Sequence, residues 1–301
     1  FRYDNSAIIS SSRFTIHEAT ISIYASSIAT ILGADSNPRL QFTNFHLSVT
    51  DCTSDLTVND SPAGGNAVAI WMSYGSFAHT SVVVSGGSMT LQGAATNKIE
   101  RVFGIVQSTH HDGNYTVANL HVDVQNGELL FHSLDASASS SNFVMRSNFF
   151  ALADATTALM IVEGGVITRA AVLYEHNVIT RHPSGALHAT FAFIKVMGTG
   201  SVDQSTIAVQ NASSTEVDNM HGNTVMGIYL SLNMTKSQVK FIDTNWRISR
   251  QTGGVWTDVI HYAVAAGKVC DDNEITIQNL RLVGDNLLDG GFNIMPFFGD
   301  H

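Results

Sequence analysis

One short phrase recurs nine times along this chain of 301 residues. Each occurrence has two alternating apolar residues, a residue that can turn a corner, and two further alternating apolar residues. The corner positions are Ser11, Asn44, Gly86, Asn119, Ser147, His176, Asn211, Asp243 and Asn279. Their spacings of 33, 42, 33, 28, 29, 35, 32 and 36 residues average about 33, a period typical of stacked repeats. The chain is therefore predicted to be a solenoid.

The residues around each corner predict two strands that share a core. Strand side chains alternate between faces, so the slots four and two residues before a corner, and three and five after it, should point inward. Apolar residues fill 32 of these 36 slots, against roughly 16 expected from the apolar fraction of 44%. The exceptions are Arg181, Ser214, Glu216 and Gly284.

The corner residues themselves are four Asn, two Ser, one Asp, one His and one Gly. Most of these types tolerate the left-handed backbone conformation that a bend between two strands requires. If the bends stack, their side-chain amides should align in a hydrogen-bonded ladder from coil to coil. We expect that corner ladder to contain Asn44, Asn119, Asn211, Asp243 and Asn279.

A third apolar segment lies between successive corners and predicts one more strand in each coil. These segments are Ile28–Leu32, Val68–Tyr74, Val102–Val106, Leu129–His132, Leu159–Ile167, Phe191–Val196, Val225–Leu230 and Val259–Val264. Three strands per coil without helical periodicity predict an all-β fold, a right-handed parallel β-helix of about nine coils of about 33 residues. Residues 1–301 are predicted to form a single domain.

Composition excludes several classes of function. The formal charge of −10, with no basic run, argues against nucleic acid as a partner. No uninterrupted apolar stretch is long enough to span a membrane, and no cofactor-binding motif is present. Lysine is scarce and hydroxyl and amide side chains are abundant, which favours an extracellular or cell-surface location. The chain begins at Phe1, so we expect a processed chain or a fragment.

Four Asn residues occupy glycosylation sequons: Asn59, Asn114, Asn211 and Asn233. Chance alone predicts about four in a sequence of this composition, so only their placement is informative. Asn114 follows a predicted turn and Asn233 ends a predicted strand, which favours these two as glycan carriers. A proline follows the sequon of Asn59, and Asn211 occupies a corner where a ladder would compete with a glycan.

The two cysteines are predicted to lie near opposite ends of the rod. Cys52 and Cys270 are separated by about seven coils, or roughly 30 Å, whereas a disulfide needs α-carbons within about 7 Å. One interpretation is two unpaired or locally buried thiols. The other is an intersubunit disulfide between Cys270 of one copy and Cys52 of the next.

The ends of a β-helix are open strand edges that natural solenoids usually cover with a polar or helical cap. The first four residues form no plausible amphipathic cap. At the other end, residues 292–298 are apolar and aromatic. This tail is expected either to fold over its own last coil or to dock on a neighbouring copy, so head-to-tail self-association is predicted.

This pattern of three strands and an Asn-bearing corner resembles the pectate-lyase-like β-helix superfamily. The resemblance implies that a polysaccharide-cleaving member would place clustered Asp, or Asp with Arg and Lys, on the outer face of neighbouring coils. Here the outward slots contain only two carboxylates, Asp123 and Glu175, which belong to different coils. We therefore assign no catalytic residue and no metal ligand, and we expect a non-catalytic, surface or adhesin-type member.

The leading prediction is a secreted or cell-surface structural glycoprotein. Its coils would stack head to tail into an extracellular filament or form a segment of a larger adhesin. One alternative is a polysaccharide lyase or glycoside hydrolase of the β-helix type, with acids supplied by loops. A second alternative is a non-catalytic module that binds glycans.

Overall fold

The structure is a computed structural model, and it describes most of the chain. The described ranges are 8–26, 28–34, 40–58, 65–73, 75–93, 99–106, 110–124, 137–139, 141–152, 158–163, 166–181, 190–217, 223–249, 255–264, 269–285, 291–293 and 297–299. All regular secondary structure in these ranges is β-strand. No helix long and apolar enough to cross a membrane occurs within them.

The strands follow one another along the chain at short intervals, as expected for a solenoid. They are β1 (Ile8–Ser10), β2 (Arg13–His17), β3 (Thr20–Ala25), β4 (Ile28–Ala29), β5 (Leu32–Ala34), β6 (Leu40–Thr43), β7 (His46–Val58), β8 (Asn66–Ser73), β9 (Gly75–Gln92), β10 (Ile99–Val106), β11 (His110–Ala118), β12 (His121–Val124), β13 (Ser137–Ser139), β14 (Asn142–Arg146), β15 (Phe149–Leu152), β16 (Ala158–Glu163), β17 (Val166–Thr168), β18 (Ala171–Glu175), β19 (Val178–Arg181), β20 (Thr190–Asp203), β21 (Thr206–Gln210), β22 (Ser213–Val217), β23 (Asn223–Thr235), β24 (Gln238–Ile242), β25 (Asn245–Ser249), β26 (Val255–Val264), β27 (Cys270–Asp271), β28 (Glu274–Gln278), β29 (Arg281–Asp285), β30 (Gly291–Asn293) and β31 (Phe297–Gly299).

Each strand pairs in parallel with its equivalent in the next coil. One side of the solenoid begins with β2 on β7 and β7 on β9, and it ends with β24 on β28. A second side ends with β25 on β29, and a third includes β8 on β10 and β23 on β26. A further ladder precedes the first corner and includes β1 on β6 and β13 on β17, so a coil has more strands than the three predicted. The predicted fold class, an all-β parallel β-helix, is confirmed.

The number of coils differs from the prediction. Residues 125–136 lie outside the described ranges, and with them the predicted third strand Leu129–His132. The fourth coil therefore lacks a described third side, and fewer than nine complete coils are described. The other predicted third strands overlap described strands, such as Phe191–Val196 within β20 and Val259–Val264 within β26.

The corners form two stacks rather than the single stack that the sequence predicted. The second-corner stack contains Glu18, Asp51, Gly86, Asn119, Ser147, His176, Asn211, Asp243 and Asn279. The first-corner stack, one strand upstream, contains Ser11, Asn44, His79, Arg169, Gln204, Lys236 and Asp272. All of these residues have positive φ, between 48° and 69°. Ser11 and Asn44 were thus placed in the wrong stack, and this explains the anomalous predicted spacing of 42 residues.

Each residue of the first stack precedes its partner in the second by seven positions, as Ser11 precedes Glu18 and Asp272 precedes Asn279. The strand between the two corners therefore has the same length in the first coil and in the last. Variation in coil length is confined to the rest of the coil. The sequence pattern missed most of the first stack because several of its members, such as Arg169, Gln204 and Lys236, are not typical left-handed residues.

The third coil turns its second corner with two glycines, Gly86 and Gly87, both with positive φ. A Cβ added to Gly87 would lie 2.1 Å from the carbonyl oxygen of Cys52 in the preceding coil. The close approach of two backbones therefore requires glycine at this position.

The fourth coil departs from the regular turn at its first corner. The register between β9 and β11 shifts between His111 and Gly113, so this coil has one residue fewer at the bend. The backbone N–H of His79 donates to the Asp112 carboxylate, and His79 Nδ1 lies 3.1 Å from the same oxygen. The Asp112 side chain thus accepts the corner N–H that a backbone carbonyl accepts in regular coils, such as Ala78 for Asn44.

The inward slots form one continuous apolar core. In the middle coils they are almost fully buried, and rings stack along the axis: Phe103 on Tyr115 at 5.4 Å and Tyr115 on Phe143 at 5.3 Å between centroids. Farther along, Phe193 lies between Tyr174 and Trp246, with centroid distances of 5.4 and 5.2 Å. Burial of apolar area on this scale is the main source of stability in such a rod.

Two buried tyrosines differ in how their hydroxyl groups are satisfied. The Tyr115 hydroxyl is hydrogen-bonded to Thr80 Oγ1 at 2.7 Å, whereas the Tyr174 hydroxyl has no partner among the described residues. Burial raises the pKa of both phenols well above the usual value of 10, because the charged phenolate would be desolvated.

Candidate functional site

A buried amide ladder lies at the second corner, one residue after the left-handed position. Asn148 Nδ2 and the Asn148 backbone N–H both donate to Asn177 Oδ1, each at 2.9 Å. Asn148 Oδ1 in turn accepts from the Leu120 N–H at 3.1 Å in the preceding coil. The two amide groups also donate to the carbonyls of Val117 and Met145. These side chains satisfy backbone groups inside the bend that would otherwise be buried without partners.

The corner residues expected to form a ladder mostly point outward. Of that set, Asn279 and Asp243 are joined by a side-chain hydrogen bond, with 2.7 Å between Asn279 Nδ2 and Asp243 Oδ1, and this pair is exposed. Asn119 and Asn211 are also exposed. The continuous ladder therefore lies one position later than expected, because the left-handed turn directs the following side chain inward.

A second ladder follows the first corner and uses mainly hydroxyl groups. The backbone N–H of Ala170 donates to Ser205 Oγ, and that of Ser205 donates to Ser237 Oγ, both at 3.1 Å. The Ser237 N–H donates to Asn273 Oδ1 at 2.9 Å. Both serine hydroxyls also donate to the carbonyl two residues earlier, at 2.8 Å. Each such residue thus links its own bend to the coil before it.

The two outward carboxylates named from the sequence do not form a catalytic pair. The Glu175 side chain is 11% exposed and accepts from Arg146, with 2.7 Å from Nε and 2.6 Å from Nη2 to Oε2. Gln210 donates to the other oxygen of the same carboxylate. Arg146, Glu175 and Gln210 occupy the same slot in three successive coils, immediately before the second corner. Reading that slot down the stack would have predicted this cluster.

The other carboxylate, Asp123, lies in β12, after the second corner. Glu175 lies in β18, before the second corner and two coils later. One of the Asp123 carboxylate oxygens is buried with no hydrogen-bond partner among the described residues. Within those residues no group of three or more His, Cys, Asp or Glu side chains is arranged to hold a metal ion.

Three of the four sequons lie on described strands or corners. Asn114 is exposed on β11, where its Oδ1 accepts from Asn142 Nδ2 at 2.7 Å. Asn233 is half-buried in β23, and its Oδ1 accepts from the Val269 N–H at 2.8 Å. Asn211 is exposed at the second corner. Asn59 lies outside the described residues.

The two cysteines are both free. Cys52 is 4% exposed and directs its thiol toward the Thr50 carbonyl oxygen, with 3.2 Å between sulfur and oxygen. It lies in the second coil, where Thr53 pairs with Thr20 of the coil that covers it. Cys270 is exposed in β27. Burial of Cys52 argues against a direct disulfide with Cys270 of another copy.

The first coil has half-buried apolar side chains and a strand edge that no other described strand pairs with. β2 and β3 pair with β7 on one side, and no described strand pairs with the other. The inward residues Phe14 and Ile16 are only half-buried, although the same slots in the next coil, Leu47 and Val49, are 2% exposed. Exposed Ile8 extends this apolar surface.

The last coil also has half-buried apolar side chains and strands that pair on one side only among the described residues. β28 pairs with β24, and β29 pairs with β25; neither has a further partner among the described strands. Its inward residues Ile275, Ile277 and Leu282 are half-buried. The described part of the apolar tail forms β30 and β31, which pair with β26 and so continue the third side of the chain's own last coil.

Comparison of the sequence with protein-family models finds no match, and no curated protein matches it significantly. The two end faces are therefore identified as the candidate functional surfaces on the structure alone. Each combines a strand edge that no described strand pairs with and partly exposed apolar slots, which is the kind of surface that adds a further β-strand.

Proposed function

We propose that this protein is a structural β-solenoid, secreted or displayed at the cell surface, that assembles end to end into a filament or a longer adhesin. The observation that carries this proposal is the contrast between buried slots in the middle coils and half-buried equivalents in both end coils. A coil of a solenoid is stabilised by its neighbours, so each uncovered end favours one more neighbour. A head-to-tail contact uses two different surfaces and can therefore propagate.

The function would be mechanical. Backbone ladders run along the axis, the core is apolar, and the outer face is polar apart from scattered residues such as Tyr24 and Val166. The outward carboxylate Glu175 is engaged by Arg146 and Gln210, which supports a structural role for that cluster rather than acid catalysis. We propose that the chain is a non-catalytic member of the pectate-lyase-like superfamily, and its parallel coils and its buried Asn148–Asn177 ladder support this proposal.

Electron microscopy and sedimentation velocity of the purified chain over a range of concentrations test this function. The expected result is a series of linear oligomers of constant width whose length grows with concentration. Monodisperse particles of 32.4 kDa at every concentration would contradict the proposal. Turnover of acidic polysaccharides in a product assay would instead support the lyase or hydrolase alternative.

Glycosylation is proposed at Asn114, because its side chain is exposed on a strand and points away from the core. Expression in a eukaryotic secretory host followed by glycosidase treatment should show a mass shift that is lost in Asn114→Gln. The matched control is Asn142→Gln, which removes the hydrogen-bond partner but no sequon. An unchanged glycan mass in Asn114→Gln would rule out this site.

A further inference from the structure

We propose that copies of this chain stack in one register, in which Ser11 and Glu18 of one copy continue the two corner stacks beyond Asp272 and Asn279 of the copy before it. This inference rests on the proposed function and specifies its contact. The span from corner to corner is seven residues at both ends, so β2 of one copy can pair with β28 of another without a bulge. In this register Arg13 lies opposite Glu274.

The hydroxyl ladder at the first corner supports this register. Within the chain, a serine after the first corner donates its hydroxyl to the carbonyl two residues earlier and accepts an N–H from the preceding coil, as Ser205 and Ser237 do. Ser12 occupies the equivalent position in the first coil. Its Oγ donates to the Ser10 carbonyl at 3.1 Å, so it already has the orientation seen in Ser205 and Ser237.

Ser12 lacks only the coil that would donate to it. Among the described residues, none precedes it in the stack, and Asn273 is the last member of the ladder at the other end. In the proposed register the Asn273 N–H of one copy meets Ser12 Oγ of the next. The ladder of one molecule would then continue into the following one with the same donor and acceptor types.

The backbone groups of the two ends also match. Inside the chain, the N–H of a first-corner residue donates to the carbonyl that precedes the equivalent corner of the following coil, as Asn44 donates to Ala78. The N–H two residues after a first corner donates to the carbonyl that follows the equivalent corner of the preceding coil, as His46 donates to Ser12. Applied across the contact, the Asp272 N–H donates to the Ser10 carbonyl, and the Arg13 N–H donates to the Asn273 carbonyl. Each free edge thus supplies the group that the other requires.

Charge and apolar complementarity fix the register further. Glu274 and Arg13 are both exposed, and in this pairing they are direct neighbours on adjacent strands about 4.8 Å apart. Ile275 covers Phe14, and Ile277 covers Ile16, so half-buried slots on both faces become a continuation of the core. A shift by one residue would place the apolar slots outward and separate the charges.

The register also predicts the state of the cysteines. Cys270 of one copy lies opposite Ile9 of the next, whereas Cys52 lies in the second coil and is covered by the first. The contact therefore forms without a disulfide. Oligomer size should be the same with and without a reducing agent.

Charge reversal tests the pair, because both side chains are exposed and their exchange should leave the fold intact. We expect Arg13→Glu and Glu274→Arg each to weaken self-association by roughly tenfold at low salt, since like charges then face each other. The double variant should recover association to within a few-fold of the unmodified chain. Lys240→Glu, which alters a charge on β24 in the next-to-last coil rather than on an end face, is the matched control and should have no effect.

Mixing the two single variants gives the sharpest result. Where a Glu274→Arg molecule precedes an Arg13→Glu molecule, the contact contains the same two charges with their positions exchanged. The opposite order restores the natural pair of Glu274 and Arg13. An equimolar mixture should therefore assemble, whereas each variant alone assembles poorly. Sedimentation velocity measures all of these states, and far-ultraviolet circular dichroism checks that each variant is folded.

The outcomes separate the register from the function. If the unmodified chain assembles but the single variants and the mixture behave like it, the register is wrong while end-to-end assembly stands. If the unmodified chain stays monomeric throughout the concentration range, both proposals fail. Association that changes with reducing agent would also contradict this register.

Discussion

The middle coils and the end coils carry the same residue pattern but differ in what covers it. Phe143 in the middle is 1% exposed, while Phe14, an inward phenylalanine of the first coil, is half-buried. The inward slots are apolar at both places, Phe14 and Ile16 in the first coil and Phe143 and Met145 in the middle. The difference shows that a coil owes much of its burial to the two coils beside it, so the end coils are expected to be the least stable parts of the rod.

The largest expected effect comes from removing one phenylalanine ring from a middle coil and one from the first coil. Phe143→Ala should lower the free energy of unfolding by about 3–5 kcal/mol, because it leaves a cavity among packed rings. Phe14→Ala should cost about half as much in the isolated molecule, since water already reaches that slot. Chemical denaturation of dilute monomer measures both. Equal losses would mean that the end coils are covered as well as the middle.

The next largest difference in stability is expected between a buried and an exposed corner amide. Asn177→Ala removes the acceptor for two Asn148 groups and the donor to Met145, so we expect a loss of about 2–3 kcal/mol. Asn279→Gly keeps the left-handed backbone of the last corner and removes only an exposed hydrogen bond to Asp243, so it should cost less than about 0.5 kcal/mol. Thermal and urea unfolding compare the two variants. A large loss for Asn279→Gly would contradict the view that the ladder lies one position later.

Alkaline pH should destabilise the middle of the rod. Burial raises the pKa of Tyr115 and Tyr174 in the folded chain, so above about pH 10 the unfolded chain releases protons that the folded chain retains. Their stabilising contribution is complete below about pH 10. Above it, stability should fall by up to about 1.4 kcal/mol per pH unit for each tyrosine.

Tyr24, exposed in the first coil, provides the control for this pH effect. The hydrogen bond to Asp55 raises the pKa of its phenol, yet the side chain is in water. Tyr24→Phe should leave the alkaline slope nearly unchanged, whereas Tyr115→Phe should reduce it. Urea titrations at several pH values between about 8 and 11, on either side of the ordinary phenol pKa, measure the slope. Identical slopes for all variants would contradict this assignment.

The smallest expected effect compares the two buried hydroxyls. Tyr115→Phe should cost about 0.5–1.5 kcal/mol, because it also leaves Thr80 without its partner. Tyr174→Phe should be neutral or stabilising by up to about 1 kcal/mol, since its buried hydroxyl has no partner among the described residues. A loss of stability in Tyr174→Phe would indicate that this hydroxyl has a partner after all.

Much of the fold could be predicted because burial imposes a strict alternation on strands. Val82, Val84, Met89 and Leu91 show that pattern around Gly86, and all four are buried in the structure. The first-corner stack could not be found in this way. Residues such as Arg169 and Lys236 adopt a left-handed backbone because the neighbouring coils impose it, not because their side chains favour it.

The candidate site was predictable only in outline. Open ends follow from the repeat, but the Ser12 ladder position becomes visible only when Ser205 and Ser237 show what such a serine does. The Arg146–Glu175 pair joins residues 29 positions apart in sequence, and it could have been found by comparing the residues that directly precede successive corners. Placing the buried amide ladder required the direction of the side chain after a left-handed turn.

The constant span of seven residues between the two corners makes each coil an interchangeable module. A gene segment that runs from one corner to its equivalent in the next coil could be duplicated or deleted without changing the strand register. Each duplication would lengthen the molecule by about 4.8 Å, the distance between paired strands. Both end faces would be unaltered, so molecular length could change in evolution or by engineering while the joining surfaces stay the same.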